Sequence, residues 1–289
     1  SAIQVRDILF TTARHTNTDG STFTGWTVAD GQVDPIYGWG LPDLEKGMFG
    51  PGQFLGNFDY NLKGLDVWTN DISQVALEQR KAEDVAWMEL TQNGTNLDAE
   101  DYVLGTGSIP DVANAIINKD DAKKWRAEYY AKRAAAIQYK LDNGLYDGSL
   151  VKRGEGTLVM LGSNTYKGGT TVEEGTLVGF TESFGEKDVV VNGGNFGVIN
   201  SYNDTFTDTG SKASIEDRKA DVVVNAGGTY LISAGEDVNV GKLDLKEGAG
   251  VSVWTGETSD LISAWTEGTT LSGSVTADNL AGTTAVGNS

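Results

Sequence analysis

The chain contains one histidine, His15, and it is the first residue to test for catalysis. A serine nucleophile needs a histidine base within hydrogen-bond reach, and a carboxylate must orient that base. Ser21 and Ser108 lie in turn or cap contexts, where a hydroxyl usually bonds to the backbone. We therefore expect His15 to be a surface or loop residue, and we predict that the chain carries no catalytic residue.

Three acidic residues, Asp98, Glu100 and Asp101, could supply oxygen ligands to calcium. Their spacing does not match a calcium-binding loop, and no glycine is placed to organise the ligands. The chain has no cysteine, so it can form neither a disulfide nor a thiolate metal site. We predict a solvated acidic cluster at these residues, and neither a metal nor a cofactor.

The composition limits the partners of the chain. Its 289 residues carry a net charge of −19, which disfavours binding to nucleic acid and to anionic membranes. No apolar run is long enough for a membrane span, and the first four residues do not form a signal peptide. The chain reads as a soluble piece of a longer protein, with more than one structural unit.

The first 70 residues predict two helices and an extended segment. A helix is expected over residues 1–14 with Ser1 as its N-cap, and a second one over 41–48 with Pro42 near its start. A short hairpin is expected around Phe23, Trp26 and Val28, between turn-forming residues. Residues 51–70 are rich in aromatic side chains and predict an extended connecting arm that lies along an apolar surface.

Residues 71–146 have a helical pattern. Apolar side chains recur at three- and four-residue steps over 72–92 and again over 121–142, with a short helix expected at 112–117. We predict a helical hairpin placed between two units of a different kind. One face of the second long helix is basic, and we expect its side chains to face solvent and pair with nearby carboxylates. These residues are Lys123, Lys124, Arg126, Lys132 and Arg133.

From residue 147 onward the chain repeats a strand-and-turn pattern. Gly-Thr-Leu-Val occurs at 156–159 and again at 175–178, with turn residues between the two copies. Further strand-plus-glycine units follow at 189–194, 222–228 and 243–248. A strand, a turn and another strand at a nearly fixed period predict a mainly β fold, namely a right-handed parallel β-helix over 147–289.

The order of elements in residues 4–48 carries a resemblance. A helix reading Gln4-Val5-Arg6-Asp7-Ile8-Leu9 is followed by Thr11-Thr12-Ala13, a variable loop, Tyr37-Gly38-Trp39-Gly40 and a closing helix. This order resembles the last part of the subtilisin-like serine protease fold, an α/β domain, and assigns residues 1–50 to its C-terminal remnant. The Gly-Thr-Ser-Met-Ala-x-Pro signature of that family is absent, as are its aspartate and histidine motifs. The resemblance therefore implies a triad that precedes Ser1.

A second resemblance lies in the repeat itself. Gly162-Ser163-Asn164-Thr165-Tyr166-Lys167-Gly168-Gly169-Thr170 stands between the two Gly-Thr-Leu motifs. The stretch resembles the passenger-associated repeat of bacterial autotransporters. Together the two resemblances imply the C-terminal part of the passenger of a subtilisin-like serine endopeptidase, secreted or held at the outer membrane surface. The implied partners are an upstream protease domain, a downstream translocator β-barrel and protein substrates of the parent, while this chain alone is expected to be inactive.

Two other functions compete with this interpretation. The first is a β-helical adhesin or binding passenger without protease activity, which has no need of the elements in residues 4–48. The second is a polysaccharide lyase or hydrolase on a β-helix, which needs charged residues clustered on adjacent rungs. Asp188, Asp221 and Asp237 lie at the edges of the expected rungs, where turns favour aspartate, and they form no such cluster.

Under the subtilisin-like interpretation, several apolar side chains of the N-terminal helices lack the sheet on which they would normally pack. In a complete domain the two N-terminal helices pack on a sheet that this chain lacks. We expect the side chains concerned to pack instead against the arm, the helical hairpin or a second copy. They are Ile8, Leu9, Phe10, Leu44 and Met48.

Overall fold

A computed structural model describes residues 1–17, 19–23, 25–26, 28–92, 119–198, 221–233 and 243–254. The chain divides into two compact units. The first unit joins Ser1–Ala76 to Asp147–Ser289, and the second consists of Leu77–Tyr146. The second unit is thus an insertion into the sequence of the first.

The described part of the first unit contains twelve strands in two parallel six-stranded sheets. The odd-numbered strands form one sheet: β1 Asn57–Asn61, β3 Ser149–Arg153, β5 Thr170–Val172, β7 Val189–Val191, β9 Val222–Val224 and β11 Leu243–Leu245. The even-numbered strands form the other: β2 Leu65–Trp68, β4 Thr157–Met160, β6 Thr176–Gly179, β8 Gly194–Val198, β10 Gly228–Ser233 and β12 Gly250–Trp254. Each rung of chain adds one strand to each sheet, as in a β-helix. The predicted mainly β fold is confirmed.

The first rung lies earlier in the chain than the sequence indicated. Residues 57–68, which we expected to be part of a connecting arm, form β1 and β2. Phe58 of β1 aligns with Leu150 of β3, and Val67 of β2 aligns with Val159 of β4. The expected boundaries of the arm and of the stem, 51–70 and 147–289, are therefore corrected. The next rung is separated from the first by the inserted unit, so the local sequence could not reveal the pairing.

Inward-facing side chains stack in ladders along the first sheet. Every second residue of its strands is buried or, at Tyr60 and Leu243, half-buried, because successive side chains of a strand point to opposite faces. One ladder contains Phe58, Leu150, Thr170, Val189, Val222 and Leu243, and the next contains Tyr60, Lys152, Val172, Val191, Val224 and Leu245. Burial of one large apolar side chain stabilises the fold by about 1.5–3 kcal/mol. These ladders form the core of the solenoid.

The second sheet is buried on both faces. Leu158 and Leu177 belong to the central cluster, whereas Val159 and Val178 point to the opposite face and belong to a second apolar cluster. All four side chains are at most 1% exposed. Burial on both faces is typical of parallel sheets and explains the continuous apolar runs of this stretch.

The N-terminal helix closes the end of the solenoid. Helix α1, Ala2–Thr11, begins with a capping box made by Ser1 and Gln4. Gln4 also bonds through its side chain to the carbonyl of Asp59 on β1, and Ile8 packs against the central core. The Thr11 hydroxyl accepts a hydrogen bond from the Gly52 amide at 3.1 Å. Residues 1–50 therefore belong to the same compact unit as the solenoid.

The remainder of the N-terminal segment differs in part from expectation. Helix α2 is shorter than predicted, Leu44–Gly47, and Asp43 caps it by accepting a bond from the Lys46 amide at 2.9 Å. At the expected hairpin the described residues form isolated bridges, such as Thr16 with Thr22. Ile8 packs against the central core, whereas Leu44 and Met48 are 68% and 75% exposed in the single chain, which leaves a second copy as their expected partner.

The inserted unit contains two long helices, α3 Val75–Gln92, which starts at the boundary of the units, and α4 Lys119–Asp142. Its centre is the buried carboxylate of Asp84, which accepts a hydrogen bond from Tyr146 at 2.8 Å. Arg80 and Arg133 lie 3.3 and 3.4 Å from the same carboxylate. The guanidinium of Arg133 also lies 4.2 Å from the centre of the Trp87 ring. Arg133 is therefore paired, as expected of the basic face.

The other residues of the basic face are only partly described. Lys124 and Lys132 are exposed, whereas the side chains of Lys123 and Arg126 lie outside the described set. The short helix predicted at 112–117 also lies outside it. No helix in the described ranges is both long and apolar enough to cross a membrane.

Candidate functional site

His15 lies in a loop, but it is fully buried rather than on the surface. Its Nδ1 is 3.1 Å from the carbonyl oxygen of Val28, and its Nε2 is 3.1 Å from that of Gly38. The hydroxyl of Ser21 donates to Asp19 at 2.6 Å. The structure thus brings His15 to backbone carbonyls and not to Ser21.

The acidic residues considered in the sequence do not come together as a site in the described part of the chain. Asp188 and Asp221 are exposed, and their carbonyl oxygens accept bonds from the amides of β5 and β7. Across the described ranges, no three histidine, aspartate or glutamate side chains are placed to hold a metal ion. Five other candidates lie outside the described residues: Asp98, Glu100, Asp101, Ser108 and Asp237.

A set of buried polar contacts lies where β4 passes to β5. We call residues 161–169 the repeat corner. Asn164 is 1% exposed and links three successive rungs. Its Oδ1 accepts a bond from the Ile72 amide at 2.7 Å, and its Nδ2 donates to the Ser183 carbonyl at 2.5 Å. A buried amide with both ends satisfied fixes the vertical stacking of the chain at this corner.

Tyr166 is the largest fully buried side chain of the repeat corner. Its hydroxyl lies 2.6 Å from the Thr170 hydroxyl, which also donates to the Phe184 carbonyl at 3.2 Å. The Tyr166 ring packs edge-on against Phe54, with centroids 4.7 Å apart. Tyr166 therefore joins the aromatic core of the first rung to the corner of the third rung.

Gly162 shows why the repeat corner needs glycine. A Cβ at this position would overlap the carbonyl oxygen of Asn70 in the rung below. Its own carbonyl accepts a bond from the Ser183 hydroxyl at 2.8 Å. Successive rungs approach closely here, which only glycine allows.

Gln74 connects the two points at which the insertion leaves and re-enters the first unit. It precedes α3, and its Oε1 accepts bonds from the amides of Gly148 and Lys167, both at 2.9 Å. Its Nε2 lies 3.4 Å from Asp147. No local sequence pattern indicates this role, because the partners of Gln74 lie more than 70 residues away along the chain. The side chain ties the start of the insertion to its end and to the repeat corner.

Lys152 is a buried lysine near the end of β3, before the turn that leads to β4. Its Nζ donates to the carbonyls of Arg153, Gly154 and Glu174 at 2.9, 2.7 and 3.1 Å. Burial lowers the pKa of Lys152 to about 8, and the Glu174 carboxylate partly offsets this effect. The period-2 pattern of β3 could have indicated an inward position for Lys152, since Leu150 is also inward. All three donors are used, so Lys152 serves the turn rather than a ligand.

A family model described as the passenger-associated transport repeat matches residues 150–178. The match runs from β3 to β6 and covers two successive rungs together with the repeat corner. The match indicates an autotransporter passenger, exposed at the surface or secreted, and it agrees with the second resemblance seen in the sequence.

A curated relative is Serotype-specific antigen 1 of Mannheimia haemolytica. The two proteins are 36% identical over 73 residues, which make up 25% of this chain and 6% of the relative. The similarity therefore spans a small part of the length of that protein. The family match at 150–178 does not reach residues 4–48, which carry the protease resemblance.

Proposed function

We propose that this chain is the stem of an autotransporter passenger, carried outward by a translocator domain of the same polypeptide. One observation carries the proposal: the matched transport repeat coincides with two stacked rungs, and its Asn164 bonds to Ile72 in the rung before and to Ser183 after β6. A right-handed parallel β-helix is the form in which we expect the rungs to continue. Such a stem grows by adding rungs that contact only their neighbours, which suits a chain exported from one end.

The proposed location is tested on intact cells. The complete reading frame is expressed in a Gram-negative host, and an antibody against this chain is applied before and after the cells are permeabilised. We expect the antibody to detect the chain on the cell surface or in the medium without permeabilisation. Labelling that requires permeabilisation would refute the proposed export.

We further propose that the stem presents a subtilisin-like serine endopeptidase domain, located before Ser1 in the parent. Apolar side chains on the outer side of the N-terminal segment support this proposal, because an exposed apolar surface marks an interaction site. Ile3, Leu44 and Met48 are 61%, 68% and 75% exposed. In the parent, the family reaction is peptide-bond hydrolysis by a serine, histidine and aspartate triad.

The protease proposal is tested with casein. The chain alone should cause no hydrolysis, and the parent should hydrolyse casein in a manner that a serine-directed inhibitor blocks. The reading frame upstream of Ser1 should encode Gly-Thr-Ser-Met-Ala within about one helix length. Inhibitor-sensitive hydrolysis by the chain alone would place the triad in these residues, and an inactive parent without the motif would exclude the protease.

A binding or adhesin passenger is the second candidate function. It draws on the similarity to a protein named Serotype-specific antigen 1, a name that describes recognition and not hydrolysis. A solenoid also offers an extended binding surface. The same casein assay separates the two candidates: a displayed parent without hydrolytic activity favours the adhesin.

A further inference from the structure

The chain contains three methionines, and the structure places them at very different depths. Met160 of β4 is fully buried in the central core of the solenoid, and Met88 of α3 is 9% exposed. Met48 directly follows α2 and is 75% exposed. Access of a dissolved reagent to the thioether sulfur therefore differs sharply among the three residues.

The exposure of Met48 follows from the way in which α2 lies on α1. Gly47 is the inward residue, because a Cβ at this position would lie 3.5 Å from Ile8 Cγ2 and 3.5 Å from Thr12 Oγ1. Leu44 and Met48 are four residues apart, so their side chains lie on the same face of the helix. Both side chains are exposed. We call these two residues the outer face of α2, and this face is apolar.

The backbone on both sides of Met48 is held without help from its side chain. The side-chain amide of Asn70 donates to the carbonyls of Lys46 and Gly50 at 2.9 and 2.7 Å. The backbone amide of Asn70 donates to the Phe49 carbonyl at 3.2 Å. These bonds fix the end of α2, so a chemical change at the Met48 sulfur alters the surface and leaves the fold intact.

We propose that Met48 is an oxidant-sensitive site, at which hydrogen peroxide converts the outer face of α2 from apolar to polar. The sulfur lone pair attacks one peroxide oxygen, and the O–O bond breaks as the S–O bond forms. The departing hydroxide takes up the proton of the transferred oxygen and leaves as water, so the thioether is oxidised to a sulfoxide and the peroxide is reduced. The sulfoxide is polar and disfavours apolar contacts. This role goes beyond that of the stem and does not depend on the protease proposal.

Burial protects the other two methionines from the same reaction. Met160 aligns with Trp68 of β2 on one side and with Gly179 of β6 on the other, so it lies between two paired strands. Peroxide reaches its sulfur only when the core opens, and core strands have the highest opening free energies. Met88 is in the helical insertion and keeps a small exposed fraction. The structure therefore gives an order of reaction, with Met48 first, Met88 second and Met160 last.

The first test is peptide mass spectrometry of the complete chain after timed exposure to hydrogen peroxide. We expect Met48 to react faster than Met160 by at least about tenfold, since opening of the core has to precede the reaction at Met160. In the chain unfolded by denaturant, the three methionines should react at similar rates, which would show that the fold causes the order. Equal rates at Met48 and Met160 in the folded chain would overturn the proposal.

The second test is hydrophobic interaction chromatography, which measures the change of surface. The chain oxidised at Met48 should elute earlier than the untreated chain, and a methionine sulfoxide reductase should restore the original retention. Denaturant-induced unfolding of the oxidised chain should match that of the untreated chain, because Asn70 still holds the backbone. Retention that stays the same after complete oxidation of Met48, or a loss of stability, would contradict a change confined to the surface.

The Met48→Leu variant is the matched control, because leucine keeps an apolar side chain at this position and removes the sulfur. Its retention should not change at a peroxide dose that oxidises Met48 in the wild type. If the variant also elutes earlier after treatment, other residues cause the shift and the proposal is wrong. If the variant fails to fold, the order of oxidation in the wild-type chain still decides the proposal.

Discussion

Single buried side chains join successive rungs of this solenoid through bonds to backbone atoms. Asn164 bonds to the Ile72 amide below and to the Ser183 carbonyl above, and the Tyr166 and Thr170 hydroxyls add a link to Phe184. An unmade buried hydrogen bond costs more than a made one contributes. These residues therefore hold the register of the stack, whereas the apolar ladders supply most of its stability.

The first prediction concerns Asn164. Asn164→Ala should lower the free energy of unfolding by about 2–4 kcal/mol, because it leaves two buried backbone groups without a partner. Denaturant-induced unfolding measures the change. Asn192→Ala is the matched control: Asn192 is exposed and its amide bonds to Glu173 at 3.0 Å, so we expect a loss below about 1 kcal/mol. Equal losses in the two variants would contradict the role of the repeat corner.

The second prediction concerns the pH dependence that Lys152 causes. Burial lowers the pKa of Lys152 from 10.5 to about 8. Between about pH 8 and pH 10.5, Lys152 is therefore protonated in the unfolded chain and deprotonated in the folded chain. Stability should therefore rise with pH across this window. Unfolding is measured from about pH 7.5 to about pH 10, below the range in which tyrosine side chains lose their protons.

Lys152→Met tests the assignment. Methionine fills the space without titrating, so the rise in stability with pH should disappear, whereas Lys187→Met at an exposed position should retain it. Above about pH 10 the slope should reverse, since burial raises the pKa of Tyr146 and of Tyr230 to about 12 and the folded chain keeps their protons. An unchanged rise in Lys152→Met would show that other groups cause it.

Among secondary-structure elements, the helices of the insertion depend on one buried carboxylate. Asp84 of α3 holds Arg133 of α4 and the hydroxyl of Tyr146, which follows α4. Arg80 lies one helical turn before Asp84 and adds a second cation at 3.3 Å. The two cations balance the charge that burial would otherwise penalise.

The third prediction concerns this carboxylate. Asp84→Ala removes the carboxylate partner of Arg133, the nearer of the two carboxylates beside Arg80 and the acceptor of the buried Tyr146 hydroxyl, and it should destabilise the inserted unit by about 3 kcal/mol. Hydrogen exchange should then accelerate in α3 and α4 while the amides of β4 and β6 keep their protection. Glu83→Ala is the control, because its carboxylate is exposed and lies 3.9 Å from Arg80. Faster exchange in the strands, or none in the helices, would disprove the local role.

The elements were predictable where the pattern is local. The Gly-Thr-Leu-Val repeats indicated β4 and β6, and the two valine triplets and the Leu-Asp-Leu of the later units indicated β7, β9 and β11. The first rung was missed because its partner strand follows a long insertion. The pairings of Gln74 and Lys152 were missed because their partners become neighbours only after the chain has stacked.

As a whole molecule, the chain combines a stacked stem with an insertion and an N-terminal closing helix. Ile8 and Gln4 of α1 cover the end of the first rung, so the N-terminal segment is part of the stem unit. The sequence resemblance of that segment to a protease remnant stays a prediction. Its exposed apolar side chains are the reason to look for a further domain in the parent.

The central claim is that the repeat corner builds the stem of an exported passenger, and display of the complete polypeptide on intact cells tests it most directly. The amount of chain that resists an external protease is compared for wild type, Asn164→Ala and Asn192→Ala. We expect wild type and Asn192→Ala to be displayed in similar amounts and Asn164→Ala to lose protease-resistant stem several-fold, since a weakened corner exposes backbone to cleavage. A wild-type chain that stays inside the cell, or an Asn164→Ala stem as resistant as wild type, would contradict the claim.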